Sequence, residues 1–217
     1  MKILHTTDLH FNTHWFEWIA KQQEKFNIFC ISGDLLESSK DETLPEQIEW
    51  ISKWIGAFKK PLFICSGNHD IEELDNEDWL KKIDTSNYYT DNMTKTIDGL
   101  KFGCYPFIGS EGYYEFDDCD VLVTHLPPAN TKTSTDKNGN DWGDPELERA
   151  IKNNIISSKI ILCGHMHHPI KTIDILKNTT IYNTGVDKEK LIPNHHVIDT
   201  KYTIKTFDKK LLKCIEE

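Results

Sequence analysis

The chain lacks the cysteine spacing of a disulfide framework or of a cysteine-rich zinc site. None of its cysteines forms a CxxC pair. Three of them (Cys30, Cys65 and Cys163) lie in apolar, strand-like runs, where cysteine behaves as a small hydrophobic residue. The full set is Cys30, Cys65, Cys104, Cys119, Cys163 and Cys214. We therefore predict a reducing, cytoplasmic environment and no disulfide framework.

Long apolar runs are also missing. No stretch reaches the roughly 20 residues that a membrane-spanning helix needs. The opening apolar run is interrupted within its first ten residues by polar side chains, beginning at His5. We therefore expect no signal peptide, no membrane partner and a cytoplasmic protein.

Positive charge is scarce. Lysine and arginine number 25 against 35 aspartates and glutamates, a formal net charge of -10. This balance disfavours a long nucleic acid or an anionic membrane surface as the partner. It does not exclude a small phosphorylated ligand, because bound cations reverse the local field.

The length and the even composition favour one folding unit. A chain of 217 residues can bury a substantial core. There is no repeat, low-complexity segment or linker, so we expect a single domain over residues 1–217. The sequence carries no indication of oligomeric state.

Short apolar runs predict buried strands that alternate with helices in the first part of the chain and form hairpins later. An Asp98-Gly99 pair marks one hairpin turn. Strands are predicted at 2–4, 28–31, 61–65, 88–89, 95–97, 100–107, 121–124, 160–163, 171–176, 179–182, 196–199 and 202–207. Helices are predicted at 14–25, 45–59 and 145–154, with a weak one at 77–83.

Two segments are expected to rim a ligand pocket. One is residues 126–145, which contain the longest polar stretch, 127–145; a loop of this length inside a domain is usually functional or mobile. Residues 12–15 follow the first strand and its polar end.

Five predicted strands end in side chains that bind metal ions. Because open α/β sheets place ligands beyond the carboxyl ends of their strands, we expect these groups to converge. Together they exceed the needs of one ion and suit two, with Asp34 as the natural bridging carboxylate. Mixed imidazole, carboxylate and amide ligation favours Mn, Fe, Zn or Ni over Ca, and we favour manganese. The groups are Asp8, His10, Asp34, Asn68, His125, His165 and His167.

The Gly67-Asn68-His69-Asp70 stretch adds a proton donor. His69 adjoins a predicted ligand without being needed as one, so we expect it to act as the general acid; orienting a phosphate oxygen would fit the same position. Asp70 is expected to cap the following turn. His168 could touch the substrate or support a metal ligand.

The ordered set of motifs resembles the calcineurin-like metallophosphoesterases. In order, these are Asp-x-His, Gly-Asp, Gly-Asn-His-Asp, a lone His after a strand, and Gly-His-x-His, spread over residues 3–185. The resemblance implies an α/β fold in which two central mixed β-sheets are flanked by helices, with a dinuclear metal centre at one edge.

Carried over by position, the resemblance also implies the role of each residue. His69 matches the residue that protonates the leaving group. One ion would take Asp8, His10, Asp34 and His167, and the other Asp34, Asn68, His125 and His165. Apart from the resemblance, we expect Asn68, His69 and His168 to contact substrate.

Local features indicate which branch of this family the chain resembles. Thr124-His125-Leu126-Pro127-Pro128 is similar to the cyclic-nucleotide-phosphodiesterase-like members. Glu37 stands near the place where the protein-phosphatase branch has an acid that partners the catalytic His, so Glu37 would either orient His69 or be a solvated carboxylate. Asn183-Thr184-Gly185 resembles the turn that closes the last core strand, with a structural role.

The expected function is hydrolysis of a small phosphodiester, with cyclic nucleotides as one class, by a metal-bridging hydroxide. The alternative is a phosphomonoesterase, including one that acts on phosphoproteins. A nuclease is disfavoured by the net charge and by the lack of an aromatic-basic groove. A non-catalytic scaffold of the same fold is a further alternative, but such scaffolds lose ligands, whereas every ligand position is filled here.

Overall fold

Two β-sheets lie face to face, with helices on their outer surfaces. The computed structural model describes residues 1–39, 43–71, 78–108 and 112–200. Strands β1 to β11 and helices α1 to α3 are numbered in chain order.

The first sheet has the strand order β11-β1-β2-β3-β4. Strands β1 to β4 run parallel, and β11 pairs antiparallel with β1. The central strands are buried along their length, as parallel strands covered on both faces must be. The strands are β1 Lys2–Thr6, β2 Ile28–Ser32, β3 Leu62–Cys65, β4 Tyr88–Tyr89 and β11 His196–Asp199.

The second sheet has the order β5-β6-β7-β8-β10-β9. Its middle strands β6, β7, β8 and β10 are parallel, and only the edge strands β5 and β9 pair antiparallel. The predicted Asp98-Gly99 turn joins β5 to β6 with φ angles of 49° and 81°. The strands are β5 Thr94–Ile97, β6 Leu100–Cys104, β7 Val121–Val123, β8 Ile160–Cys163, β9 Ile173–Leu176 and β10 Thr179–Asn183.

The three helices are α1 Thr13–Lys21, α2 Leu44–Gly56 and α3 Pro145–Lys152. Side chains cap two of them: Asn12 accepts from Trp15 N in α1, and Asp144 accepts from Glu146 N in α3. Helix α1 ends at Lys21, four residues before the predicted boundary, and the backbone N–H of the C-cap residue Gln22 bonds to Ile19 O. Within the described ranges, no helix has the length and apolar character to cross a bilayer.

The hydrophobic core has three layers. One layer packs α1 and α2 against the outer face of the first sheet, with Phe16, Ile51 and Phe29 as members. The middle layer joins the two sheets, and the third packs α3 against the outer face of the second sheet. The order helix, sheet, sheet, helix matches the predicted fold class.

The sequence predicted the second half of the chain in part. Two expected hairpins are present, β5–β6 and β9–β10, but β6, β7, β8 and β10 also pair in parallel. The parallel pairing was not predicted, because a short buried run looks the same in either direction. Of the weak helix at 77–83, the structure shows a single 3-10 turn, Leu80–Lys82, and residue 77 lies outside the described residues. The strand predicted at 202–207 also lies outside them. Strand β6 ends at Cys104, before Pro106, which has no N–H to donate to a ladder.

Candidate metal centre

The predicted ligand residues come together at the carboxyl ends of β1, β2, β3, β7 and β8. Backbone hydrogen bonds tie the first two strand ends to each other, from Asp8 N to Gly33 O and from His10 N to Asp34 O, both 3.0 Å. The backbone is strained here: Asp8, His10, Asp34 and His165 all have positive φ angles between 42° and 63°. Each such residue costs on the order of 1–3 kcal/mol and typically marks a functional site.

Side chains of the first cluster meet around His167. Its Nε2 lies 3.2 Å from Asp8 Oδ1 and 3.3 Å from His10 Nε2. His10 Nε2 in turn lies 4.0 Å from Asp34 Oδ2. Ligand atoms of Asp8, His10 and His167 therefore lie within 4.8 Å of one another, and Asp34 approaches this group through His10.

A second cluster forms on the other side of Asp34. Asn68 Oδ1 lies 3.1 Å from both His125 Nε2 and His165 Nδ1. His125 Nε2 is 3.4 Å from Asp34 Oδ2, the oxygen that also faces the first cluster. One carboxylate oxygen thus belongs to both groups of donors.

The donor set fits divalent cations. Asp8 Oδ1 is buried and makes no hydrogen bond within the described part of the chain, although His167 Nε2 is close. His125 Nδ1 donates to Ser32 O at 2.7 Å, which leaves Nε2 as the lone-pair atom toward the cluster. Buried carboxylates without a nearby cation are costly, so these residues suit resident metal ions.

Charges inside the cluster shift the pKa values of its members. Burial alone would raise the pKa of Asp34, but the charge of His125 and the hydrogen bond to it hold that pKa well below its usual range. Burial would lower the pKa of His125, yet Asp34 raises it to about 10. Burial, with the charge of His125, lowers the pKa of His165 to about 4. A proton and a cation compete for the same nitrogen of His125, so metal binding must release that proton.

Asp70 was expected to cap a turn, and it also connects two segments of the site. Its buried carboxylate accepts from Leu35 N at 2.9 Å and Leu36 N at 3.0 Å, and from Gly67 N at 2.8 Å. It therefore ties the loop that carries Asp34 to the turn that carries Asn68 and His69. Burial, and then the charge of Asp34, raise the pKa of Asp70 to about 7.

His69 stands beside the cluster, and of the two alternatives for Glu37 the contacts do not favour the one in which it orients His69. Glu37 meets Ser39 Oγ at 2.7 Å and Lys188 Nζ at 3.8 Å. Ser38 Oγ instead lies 2.6 Å from His69 Nδ1. No motif in the sequence singled out Ser38, because a lone serine after a strand is an ordinary loop residue.

The outer residues of the site differ in exposure. His168 is exposed and lines a cavity of about 460 Å³ beyond His167, together with Lys137 from the long polar loop. Residues 12–15 were the second segment expected to rim a pocket. In this segment Trp15 is buried, and its indole N–H donates to Lys190 O. That expectation is wrong for Trp15, whose ring packs into the core.

A sequence model of the family described as calcineurin-like phosphoesterase matches residues 1–169. The chain belongs to this family. The family comprises metal-binding hydrolases of phosphoric esters, and the sequence motifs therefore predicted the correct family. No curated protein matches the chain in sequence.

Two solved structures illustrate the shared fold of this phosphoesterase. A protein described as a novel archaeal phosphodiesterase is 18% identical, with a TM-score of 0.56, over 94% of this chain and 96% of its own. A protein of Thermus thermophilus is 10% identical, with a TM-score of 0.64, over 91% of this chain and 98% of its own. At these identities the likeness establishes the fold, an α/β arrangement of two mixed sheets.

Proposed function

We propose that the protein is a phosphodiesterase for small substrates that works with two divalent ions, of which manganese is favoured. The observation that supports two ions is the position of Asp34 Oδ2, which faces His10 Nε2 at 4.0 Å and His125 Nε2 at 3.4 Å. The first ion would be held by Asp8, His10, Asp34 and His167, and the second by Asp34, Asn68, His125 and His165.

Such a pair of ions would supply an activated water and positive charge for the phosphoryl oxygens. The protein's own part is to hold the ligand atoms in place and to bind the ester. His69, whose side chain is 28% exposed, is the group open to the substrate beside Asp34. Two roles fit its position: protonation of the leaving oxygen, as the sequence led us to expect, and a hydrogen bond to a phosphoryl oxygen.

A diester is favoured because cavities flank the cluster on two sides. One cavity of about 410 Å³ lies beyond His10 and has Phe11 and Trp50 among its lining residues. The other, of about 460 Å³, lies beyond His167 and includes His168, which we propose as a substrate contact. A diester has two substituents to place, whereas a monoester has one.

A cytoplasmic location is part of the proposal. The described cysteines are Cys30, Cys65, Cys104, Cys119 and Cys163, and all of them are buried free thiols. Burial also raises the pKa of Cys30, Cys65 and Cys163, which keeps these thiols protonated and unreactive.

The test compares hydrolysis of bis-p-nitrophenyl phosphate and p-nitrophenyl phosphate by manganese-loaded protein, with Asp34→Asn as the blank. We expect a higher kcat/KM for the diester, lost in the variant together with bound metal. A higher kcat/KM for the monoester would point to a phosphomonoesterase instead. If neither ester were hydrolysed while two ions stayed bound, the catalytic proposal would be wrong for these ester classes.

A further inference from the structure

Ser38 makes two contacts with one nitrogen of His69. Its hydroxyl Oγ lies 2.6 Å from Nδ1, and its backbone N–H donates to the same Nδ1 at 3.4 Å. Ser38 is buried in the turn that follows β2, and its backbone N–H has no other hydrogen bond among the described residues. The contact is therefore fixed by the fold as well as by the side chain.

The backbone contact favours one ring nitrogen as the site of the proton. A backbone N–H is always a donor, so Nδ1 has to offer its lone pair. The neutral ring then carries its proton on Nε2. A proton on Nδ1 could be donated to the serine hydroxyl. It would then also face the backbone N–H of Ser38, and two donors that face each other are unfavourable.

The opposite side of the ring faces the candidate metal centre. His69 Nε2 lies 4.0 Å from Asp34 Oδ2, and the His69 backbone N–H donates to Asp34 Oδ1 at 2.9 Å. The ring also meets His10 edge to face, with the centroids 4.6 Å apart. The Nε2–H bond therefore lies at the border between the ligand atoms and the open side of the site.

We propose that Ser38 is a positioning residue that holds His69 as the neutral Nε2–H tautomer, and that His69 donates a hydrogen bond to a phosphoryl oxygen of the substrate. This inference rests on the proposed function. It refines the expected general-acid role, because a neutral ring that gave up the Nε2 proton would have lost its only ring proton. The proton stays on His69 while the bond strengthens as charge builds on the phosphoryl oxygen.

The same tautomer excludes His69 from the ligand set. Ligand atoms of His10, Asp34 and His69 lie within 4.8 Å of one another, so distance alone would allow a third group of metal donors. A protonated Nε2 has no lone pair for a cation, and Nδ1 is occupied by Ser38. His69 is therefore assigned to the substrate.

Nuclear magnetic resonance tests the tautomer directly. Protein labelled with ¹⁵N-histidine and loaded with diamagnetic zinc would be measured by long-range ¹H–¹⁵N correlation, with His69 assigned by the signals missing from His69→Gln. We expect a protonated Nε2 and a bare Nδ1. Ser38→Thr should keep this pattern, whereas Ser38→Ala should shift the Nδ1 signal. A protonated Nδ1 in the wild type would overturn the proposal.

Kinetics with a matched control tests the consequence. Ser38→Ala should lower kcat by about tenfold, less than the roughly 10²-fold expected for losing the donor in His69→Ala. KM and metal content should stay unchanged. Ser39→Ala, which removes the neighbouring hydroxyl that bonds Glu37, should leave kcat unchanged. Unchanged kcat in Ser38→Ala, or metal loss in His69→Ala, would contradict the assignment.

The leaving group distinguishes the two roles of His69. If His69 donates a hydrogen bond to a phosphoryl oxygen, His69→Ala should slow the hydrolysis of diesters with p-nitrophenyl and with alkyl leaving groups by the same factor. A much larger loss for the alkyl group would mean proton transfer to the leaving oxygen and would overturn the proposal. If the wild type hydrolysed no ester, the proposed function would fail, while the resonance experiment would still decide the tautomer.

Discussion

At the scale of single residues, glycine occupies positions near the site where other atoms come too close to leave room for a Cβ. A Cβ added to Gly67 would lie 2.2 Å from Asp34 Oδ1, and one added to Gly164 would lie 1.8 Å from Thr7 Oγ1. Gly33 combines a φ of +81° with a Cβ position 2.6 Å from His125 Nδ1. These glycines let neighbouring strand ends bring their ligand atoms together.

Gly67→Ala should therefore displace Asp34 and weaken metal binding. We expect the variant to bind less than half of the wild-type metal and to lose about 1–3 kcal/mol of unfolding free energy through overpacking. Elemental analysis and urea unfolding measure the two effects. The matched control is Gly56→Ala at the end of α2, where a Cβ meets nothing within 4 Å. Equal metal content in Gly67→Ala and the control would show that Asp34 tolerates the shift.

Asp91 should make stability depend on pH. It is buried and accepts from Ser66 N at 2.8 Å, and burial raises its pKa to about 6 from an ordinary value of 3.8. Because the folded pKa is the higher one, the folded state holds the proton more tightly. The contribution of Asp91 to stability is complete below pH 3.8 and is lost as the pH rises through about 6.

Asp91→Asn should remove this dependence. The difference in unfolding free energy, variant minus wild type, should increase from pH 4 to pH 8 by about 2–3 kcal/mol, the equivalent of the shift in pKa. Urea unfolding of both proteins across this range measures it. A difference that stayed flat with pH would mean that Asp91 has an ordinary pKa in the folded state.

At the scale of elements, Asn183 connects three segments around the site. It ends β10, and its Nδ2 lies within hydrogen-bond distance of Gly164 O at 2.9 Å, Thr133 O at 3.0 Å and Met166 O at 3.1 Å. Its Oδ1 accepts from Gly185 N at 2.9 Å. The turn that carries His165 and His167 is thereby fixed to β10 and to the long polar loop.

Asn183→Asp should destabilise this arrangement strongly. The substitution places a carboxylate against backbone carbonyl oxygens, and an unpaired buried charge costs about 3–5 kcal/mol. We expect that loss in urea unfolding, together with weaker metal binding. Asn138→Asp, on the exposed surface of the same loop, makes the identical change without the buried contacts and should cost less than about 0.5 kcal/mol. Equal losses in the two variants would refute the role of Asn183.

Elements differ in how well the sequence predicted them. Buried strands that end in polar motifs, such as β3 before Gly67, were predicted correctly because an apolar run is followed directly by potential ligand residues. The membership of β11 in the first sheet was not predictable, because its pairing with β1 joins residues almost 200 positions apart. Ser38 was missed for a similar reason: its importance comes from a contact across 31 positions and not from its neighbours.

At the scale of the whole molecule, the candidate metal centre joins both sheets. Asp8 and Asp34 follow strands of the first sheet, and His125 and His165 follow strands of the second. Ions held between them would therefore cross-link the two halves of the core. Their binding should be visible in global unfolding as well as in activity.

Metal should raise the unfolding free energy of the whole chain. A ligand that binds only the folded state at about 100 times its Kd contributes about 2.7 kcal/mol. We expect chelation to lower the thermal midpoint by several degrees and manganese to restore it, as followed by calorimetry. Asp34→Asn removes the shared carboxylate, so its midpoint should respond weakly to both treatments. A wild-type midpoint that chelation left unchanged would mean that the ligand atoms meet without holding a resident ion.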